Sequence, residues 1–232
     1  MIKLIKLEIQ RINLRPYIIS SIIFGMVLLG FTYFVACVAQ VEQQMEFMNY
    51  ENIFRFTSAI SILLFGISAA TMYAKLIIGE YSGKRLALLF SYPVGRKKIF
   101  AAKVLIVFLF VTLSMLLCTI LPICIFISTE SFFPIVSDTM TSDVLIQVLK
   151  TLLVSLIVVN AIGLLAMRIG FIKMSVSVTL ISAFIFVGIY GNIAIGSVGN
   201  AVVSLPIVGV SLVAILVVLV TLSHKINYME VE

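Results

Sequence analysis

Charge is what this sequence has least of. Only 11% of its 232 residues are charged while 62% are hydrophobic, against roughly 25% and 45–50% in an ordinary soluble domain. With a mean hydropathy of +1.24, too few polar groups remain to cover a water-facing globule. The same shortage excludes a disordered chain, and a nucleic-acid module too, in spite of a net charge of +6 and a pI of 9.3. Cysteine is scarce: Cys37, Cys118 and Cys124 fit no zinc or redox spacing and no secreted disulfide scaffold. They read as small apolar packers, with a Cys37 to Cys124 bridge at one membrane face as the conceivable alternative. Histidine occurs once, at His224, and no two acidic residues share an apolar run. That excludes a metal site and a proton relay, both of which need ionisable groups within the membrane. A serine protease has only a faint Gly66-Ile67-Ser68 match and no acidic partner for it. A phosphate-cradling G-x-x-x-x-G-K-[ST] loop is also missing, the nearest stretch, Gly79 to Lys84, being one residue short. The chain is expected to bind no cofactor and to hydrolyse no ATP by itself.

What is present is apolar run after apolar run. Six stretches, 17–39, 57–78, 104–128, 144–167, 174–196 and 205–223, each suffice to cross a hydrocarbon core of about 30 Å at about 1.5 Å per residue. They show neither the short spacing nor the alternation of a barrel, so helices must satisfy the backbone. The expected fold class is all-α: a single transmembrane domain over 1–232, a bundle of six membrane helices. The last two runs are separated only by a Gly/Asn/Ser/Pro-rich stretch, 188–206.

Basic residues set the orientation. Of the 16 Lys and Arg, all but Arg55 and Lys150 fall before run one, in or beside the second connection (Lys75 at the end of run two included), in the fourth, or after run six. Six acids, Glu42, Glu46, Glu51, Glu130, Asp138 and Asp143, fall on the other side. This asymmetry predicts a multi-pass protein of the cell membrane with both termini cytoplasmic, and it uses up the positive charge without any nucleic acid. Phe34-Val35-Ala36-Cys37 faintly resembles a lipoprotein cleavage box, but the run before it is too long for a signal segment.

Two segments are more than spans. Residues 1–16 place Ile2, Ile5, Ile9 and Ile12 on one helical face and Lys3, Lys6, Gln10 and Asn13 on another, as expected of an amphipathic helix lying in the interface. Pro16 then permits a sharp turn into the first span. The second connection, 79–103, is far longer than two neighbouring helices need. It opens with Glu80 and Lys84 at a favourable i, i+4 spacing. An apolar stripe of Leu86, Leu89 and Phe90 follows, then a break at Ser91 to Gly95, and a new helix from Arg96 to Lys103. A short amphipathic cytoplasmic helix flanked by cations is suited to a partner's groove.

Glu80-Tyr81, Gly83, Leu88-Leu89, Pro93, Arg96 and Lys103 together resemble the segment that follows the second membrane helix of ABC-2 type permeases, the membrane subunits of ATP-binding-cassette exporters. Lys84 departs from the threonine common there. The resemblance implies that these residues form a coupling helix docking on a separate ABC ATPase subunit, which holds the ATP and Mg. It also implies six helices, an interfacial N-terminal helix, a second permease subunit, the same or different, and a re-entrant element near 188–206.

Most polar residues within the runs, such as Thr112, Ser155 and Thr179, are expected to bond back to carbonyls or between helices. Asn160, near the middle of run four, is the candidate for a substrate path. The spans offer an aliphatic, Phe- and Met-rich lining, which favours a hydrophobic or amphipathic cargo such as a small peptide, toxin or drug. The alternatives are a membrane immunity protein that binds such a peptide without transport, and an intramembrane enzyme or its scaffold.

Overall fold

The computed structural model describes residues 2–42, 49–81, 95–133, 135–136, 141–197 and 201–227. Seven helices are described, and no strand. The amphipathic α1 covers Ile2–Arg11. Six longer helices follow: α2 (Arg15–Glu42), α3 (Tyr50–Tyr73, continued by a π-helical turn at Ala74–Ile78), α4 (Arg96–Glu130), α5 (Ser142–Lys173), α6 (Val176–Ser197) and α7 (Ala201–Asn227). All six are long and apolar enough to cross a membrane.

The helices outrun the apolar runs that announced them. Thus α3 begins at Tyr50, so Arg55 lies in its second turn, and α5 begins at Ser142, so Lys150 lies in its third. Backbone hydrogen bonding continues past the hydrocarbon edge, while long basic side chains reach back to the headgroups. Arg168 and Lys173 lie within α5, and the connection to α6 shrinks to Met174 and Ser175, with Met174 in the left-handed region at φ 46°. Gly188, Gly191, Asn192 and Gly196 lie in unbroken helix, and Pro206 lies within α7. Those positions are helical, and the stretch that joins α6 to α7, with Gly199 and Asn200, lies outside the described residues.

Successive long helices run antiparallel around α3 and α5, the two most buried. α3 packs against α5 and α6, α5 also against α7, and α2 against α4. The closest approach is at Gly170, where a Cβ would stand 1.8 Å from Thr179 Oγ1 and 2.6 Å from Ile78 Cδ1. Small residues at such crossings let helices meet without a hydrophobic driving force. Hydroxyls behave as expected: Thr112, Ser155 and Thr179 bond to carbonyls four residues back, and Thr32 and Thr57 meet across α2 and α3 at 3.1 Å. All three cysteines are free, with Cys37 and Cys124 exposed on the bundle's outside, so neither the bridge nor an interior packing role holds for that pair. Only Cys118 packs inward, its Sγ 3.1 Å from Ser21 O.

At the end rich in acids, Tyr33, Tyr50, Phe54 and Phe126 form an edge-to-face and stacked aromatic cluster. Beside it Glu130 receives the backbone N–H groups of Ile135 and Val136 at 2.6 Å each. The other end gathers the basic residues, and with them the interfacial helix.

Candidate functional site

At the basic end, the chain leaves α3 through a widened turn. Gly79 N–H donates to Ala74 O at 2.9 Å, a five-residue step, and Glu80 and Tyr81 N–H both return to Ile77 O at 3.0 Å. Such π-turns recur at functional sites, because one extra residue per turn loosens the carbonyl ladder. Here Leu76 O accepts from Lys103 Nζ, 3.5 Å away.

Lys103, in the third turn of α4, has no exposed surface. Its ammonium pairs with the Glu80 carboxylate and lies 3.5 Å from Glu8 Oε2. Two carboxylates and one carbonyl thus surround the three N–H donors that lysine has to place. Arg11 closes the open side, 3.9 Å from Glu80 and 4.0 Å from Glu8, with half of its side chain exposed. Two acids and two bases leave no net charge, and without its carboxylates the buried ammonium would be uncompensated at a cost of several kcal/mol. The quartet ties the interfacial helix, the end of α3 and the start of α4 to one point.

Tyr81 secures the other flank. Its ring meets Phe100 of α4 edge-on at 6.3 Å and Phe171 of α5 at 5.7 Å, and Lys225 of α7 holds its ammonium 5.8 Å above Phe171. Such pairs contribute about 0.5–1.5 kcal/mol each beyond their buried area. Burial pushes the Tyr81 phenol well above its ordinary value, and the charges of Glu80 and Glu8 push it the same way. The hydroxyl has no hydrogen-bond partner among the described residues. Glu80 and Tyr81, adjacent in sequence, thus anchor one helix end to three others, α1, α4 and α5.

Of the residues singled out from the sequence, Glu80, Tyr81 and Lys103 come together. Arg96 is the first residue of α4. Gly83, Leu88, Leu89 and Pro93 lie outside the described residues, as do Lys84 and the short helix expected around Leu86 to Phe90. Asn160 belongs elsewhere, about 16 Å along α5 from Phe171. It is buried, its Nδ2 donating to Thr112 Oγ1 at 3.0 Å and to Leu156 O at 2.9 Å. Its Oδ1 has no partner among the described residues. Sequence reasoning missed Glu8 and Arg11, although Glu8 is the only acid before Glu42. One acidic residue on an otherwise basic interfacial helix was the signal.

A bundle of six helices long and apolar enough to span a membrane, with an amphipathic helix clamped to one end, defines a multi-pass membrane protein. The chain belongs to the ABC-2 family of transporter proteins, whose family model, described as "ABC-2 family transporter protein", matches residues 4–188. That stretch contains all four members of the quartet. Permeases of this family are membrane subunits without an ATPase of their own and work with an ABC ATPase partner. The chain is also similar to the uncharacterized protein YcbO of Bacillus subtilis (strain 168), with 24% identity over 204 residues, 88% of this chain and 90% of that protein. No solved structure matches it.

Proposed function

We propose that this chain is the permease subunit of an ATP-driven exporter, oriented with both termini in the cytoplasm and receiving its ATPase on residues 79–103. The observation that carries the reading is the quartet of Glu8, Arg11 and Glu80 around the buried Lys103. A segment that receives a mechanical push needs both of its ends held firmly. Glu80 and Tyr81 hold one end to the bundle and Lys103 holds the other, so closure of the ATPases displaces α3 and α4 together. The basic residues at this end support placing it on the cytoplasmic side.

Two such subunits, identical or different, enclose the path. Its lining is aliphatic and aromatic, which suits a hydrophobic or amphipathic cargo such as a small peptide, toxin or drug, exported for delivery or self-protection. Asn160 is a polar contact on that path: its free Oδ1 is an acceptor for a cargo amide once α4 and α5 part. ATP and Mg bind to the partner subunit alone.

The test is the ATPase activity of the cognate ATPase, co-expressed and reconstituted in lipid with this chain. Wild type is expected to stimulate it, and Glu80→Ala with Arg96→Ala to abolish the stimulation. Correctly folded chain that neither associates nor stimulates would remove the exporter reading in favour of a non-transporting immunity or binding protein.

A further inference from the structure

Between α1 and α2 the chain makes an elbow at Ile12 to Leu14, fixed by Arg15 N–H donating to Asn13 Oδ1 at 3.2 Å. The elbow encloses an open groove of about 440 Å³, lined among others by Ile9, Arg11, Ile12, Asn13, Arg15 and Ile18. Its chemistry is divided. Two guanidiniums, Arg11 and Arg15, share the lining with the isoleucines at 9, 12 and 18. Ile18 begins an exposed apolar strip along α2 that continues with Ile19, Ile22 and Ile23.

The two guanidiniums are underused. No carboxylate lies within ion-pairing distance of Arg15 among the described residues, and Arg11 reaches Glu80 and Glu8 only at 3.9 and 4.0 Å, half exposed. Asn13 has committed its oxygen to Arg15 and keeps its amide N–H groups to donate. Cations at the start of an apolar strip stand at headgroup depth when the helix crosses a membrane.

We propose that this elbow is a binding site for one anionic phospholipid of the inner leaflet, its phosphodiester on Arg11 and Arg15 and one acyl chain along Ile18, Ile19, Ile22 and Ile23. A guanidinium accepts a phosphate in bidentate fashion. A zwitterionic lipid brings a cation of its own that the arginine pair repels, whereas an anionic one adds to the attraction. Free phosphate satisfies the arginines but leaves the apolar strip unused. Because Arg11 belongs to both the groove and the quartet, the bound lipid stands one side chain away from Glu80. The site rests on the cytoplasmic placement of the basic end proposed above, but it is read by binding alone, without any ATPase.

The test is native mass spectrometry of the purified full chain in detergent, titrated with phosphatidylglycerol and, separately, phosphatidylcholine. Retention of phosphatidylglycerol in preference to phosphatidylcholine is expected. Arg15→Gln should weaken it roughly fivefold, and Arg11→Gln with Arg15→Gln about 25-fold, the effect of one and two basic residues at an anionic headgroup. Lys173→Gln, an exposed cation at the end of α5, should leave it unchanged. Equal retention of the two lipids, or an Arg15→Gln chain that binds like wild type, would overturn the proposal. Displacement of the lipid by an equal concentration of inorganic phosphate would likewise reduce the groove to a simple anion site.

Discussion

Replacing Lys103 with methionine tests the quartet most directly. Methionine keeps an unbranched stem of similar length, so lost packing is not the main effect. What disappears is the ammonium between Glu80 and Glu8, leaving both carboxylates with Arg11 alone at 3.9 and 4.0 Å. Removing one partner of a buried pair costs about 3–5 kcal/mol, whereas an exposed pair is worth about 0.2–1 kcal/mol. The Glu80 and Glu8 side chains keep 16% and 12% exposure, so part of their hydration returns and the lower end applies. The expected destabilisation is about 3 kcal/mol, read by reversible unfolding in mixed detergent and dodecyl sulfate micelles. Adding Glu80→Gln to Lys103→Met should recover about 1–2 kcal/mol, because one stranded charge is then gone. A loss below about 1 kcal/mol for Lys103→Met, or strictly additive effects in the double variant, would show the cluster to be solvated and the reasoning wrong.

Tyr81→Phe removes a buried hydroxyl without a described partner, so its stability should stay within about 0.5 kcal/mol of wild type, while Tyr81→Ala should lose about 3–5 kcal/mol. The phenol is raised in the folded state, so the unfolded chain ionises first. As pH climbs above about 10 the native state loses stability, and Tyr81→Phe should lose less, as alkaline unfolding curves would show. Gly170→Ala would bring a methyl 1.8 Å from Thr179 Oγ1; it should destabilise by about 1–3 kcal/mol or more, with partial rescue by Thr179→Ala in the same micellar unfolding assay.

The spans were legible because the physics behind them is local. A charge-free run such as 104–128 says helix and membrane together, whatever its neighbours do. Its true ends were not legible: Lys103 bounds the run on one side and Glu130 lies two residues past the other, yet the helix begins at Arg96 and closes only at Glu130. The site was half legible. Glu80, Tyr81 and Lys103 stood out through a family pattern, but their mutual contact was not written in any spacing, and the expected i, i+4 partner of Glu80 was Lys84. In the described residues Glu80 pairs with Lys103 and Arg11. Glu8 and Arg11 come from the far end of the chain, and only the folding of α1 onto α4 brings them in. The face of α1 that packs inward was not legible either. Leu4 and Leu14 pack against the core, while Ile9 is 43% exposed, because the inward face is the one that carries Glu8.

The π-turn at Ala74–Ile78 acts as a phase shift in the last cycle of α3. Each residue of an α-helix advances by about 100° around its axis, so a chain one residue shorter here would gain a more regular ladder and swing everything after it by about that angle. Glu80 would leave Lys103, and Tyr81 would leave the gap between Phe100 and Phe171. Substitutions within the turn are therefore tolerable wherever packing allows, whereas a single-codon deletion, conservative by every measure of composition, would disconnect the end of the helix from the rest of the molecule. Residue count, more than residue identity, is the quantity this stretch has to preserve.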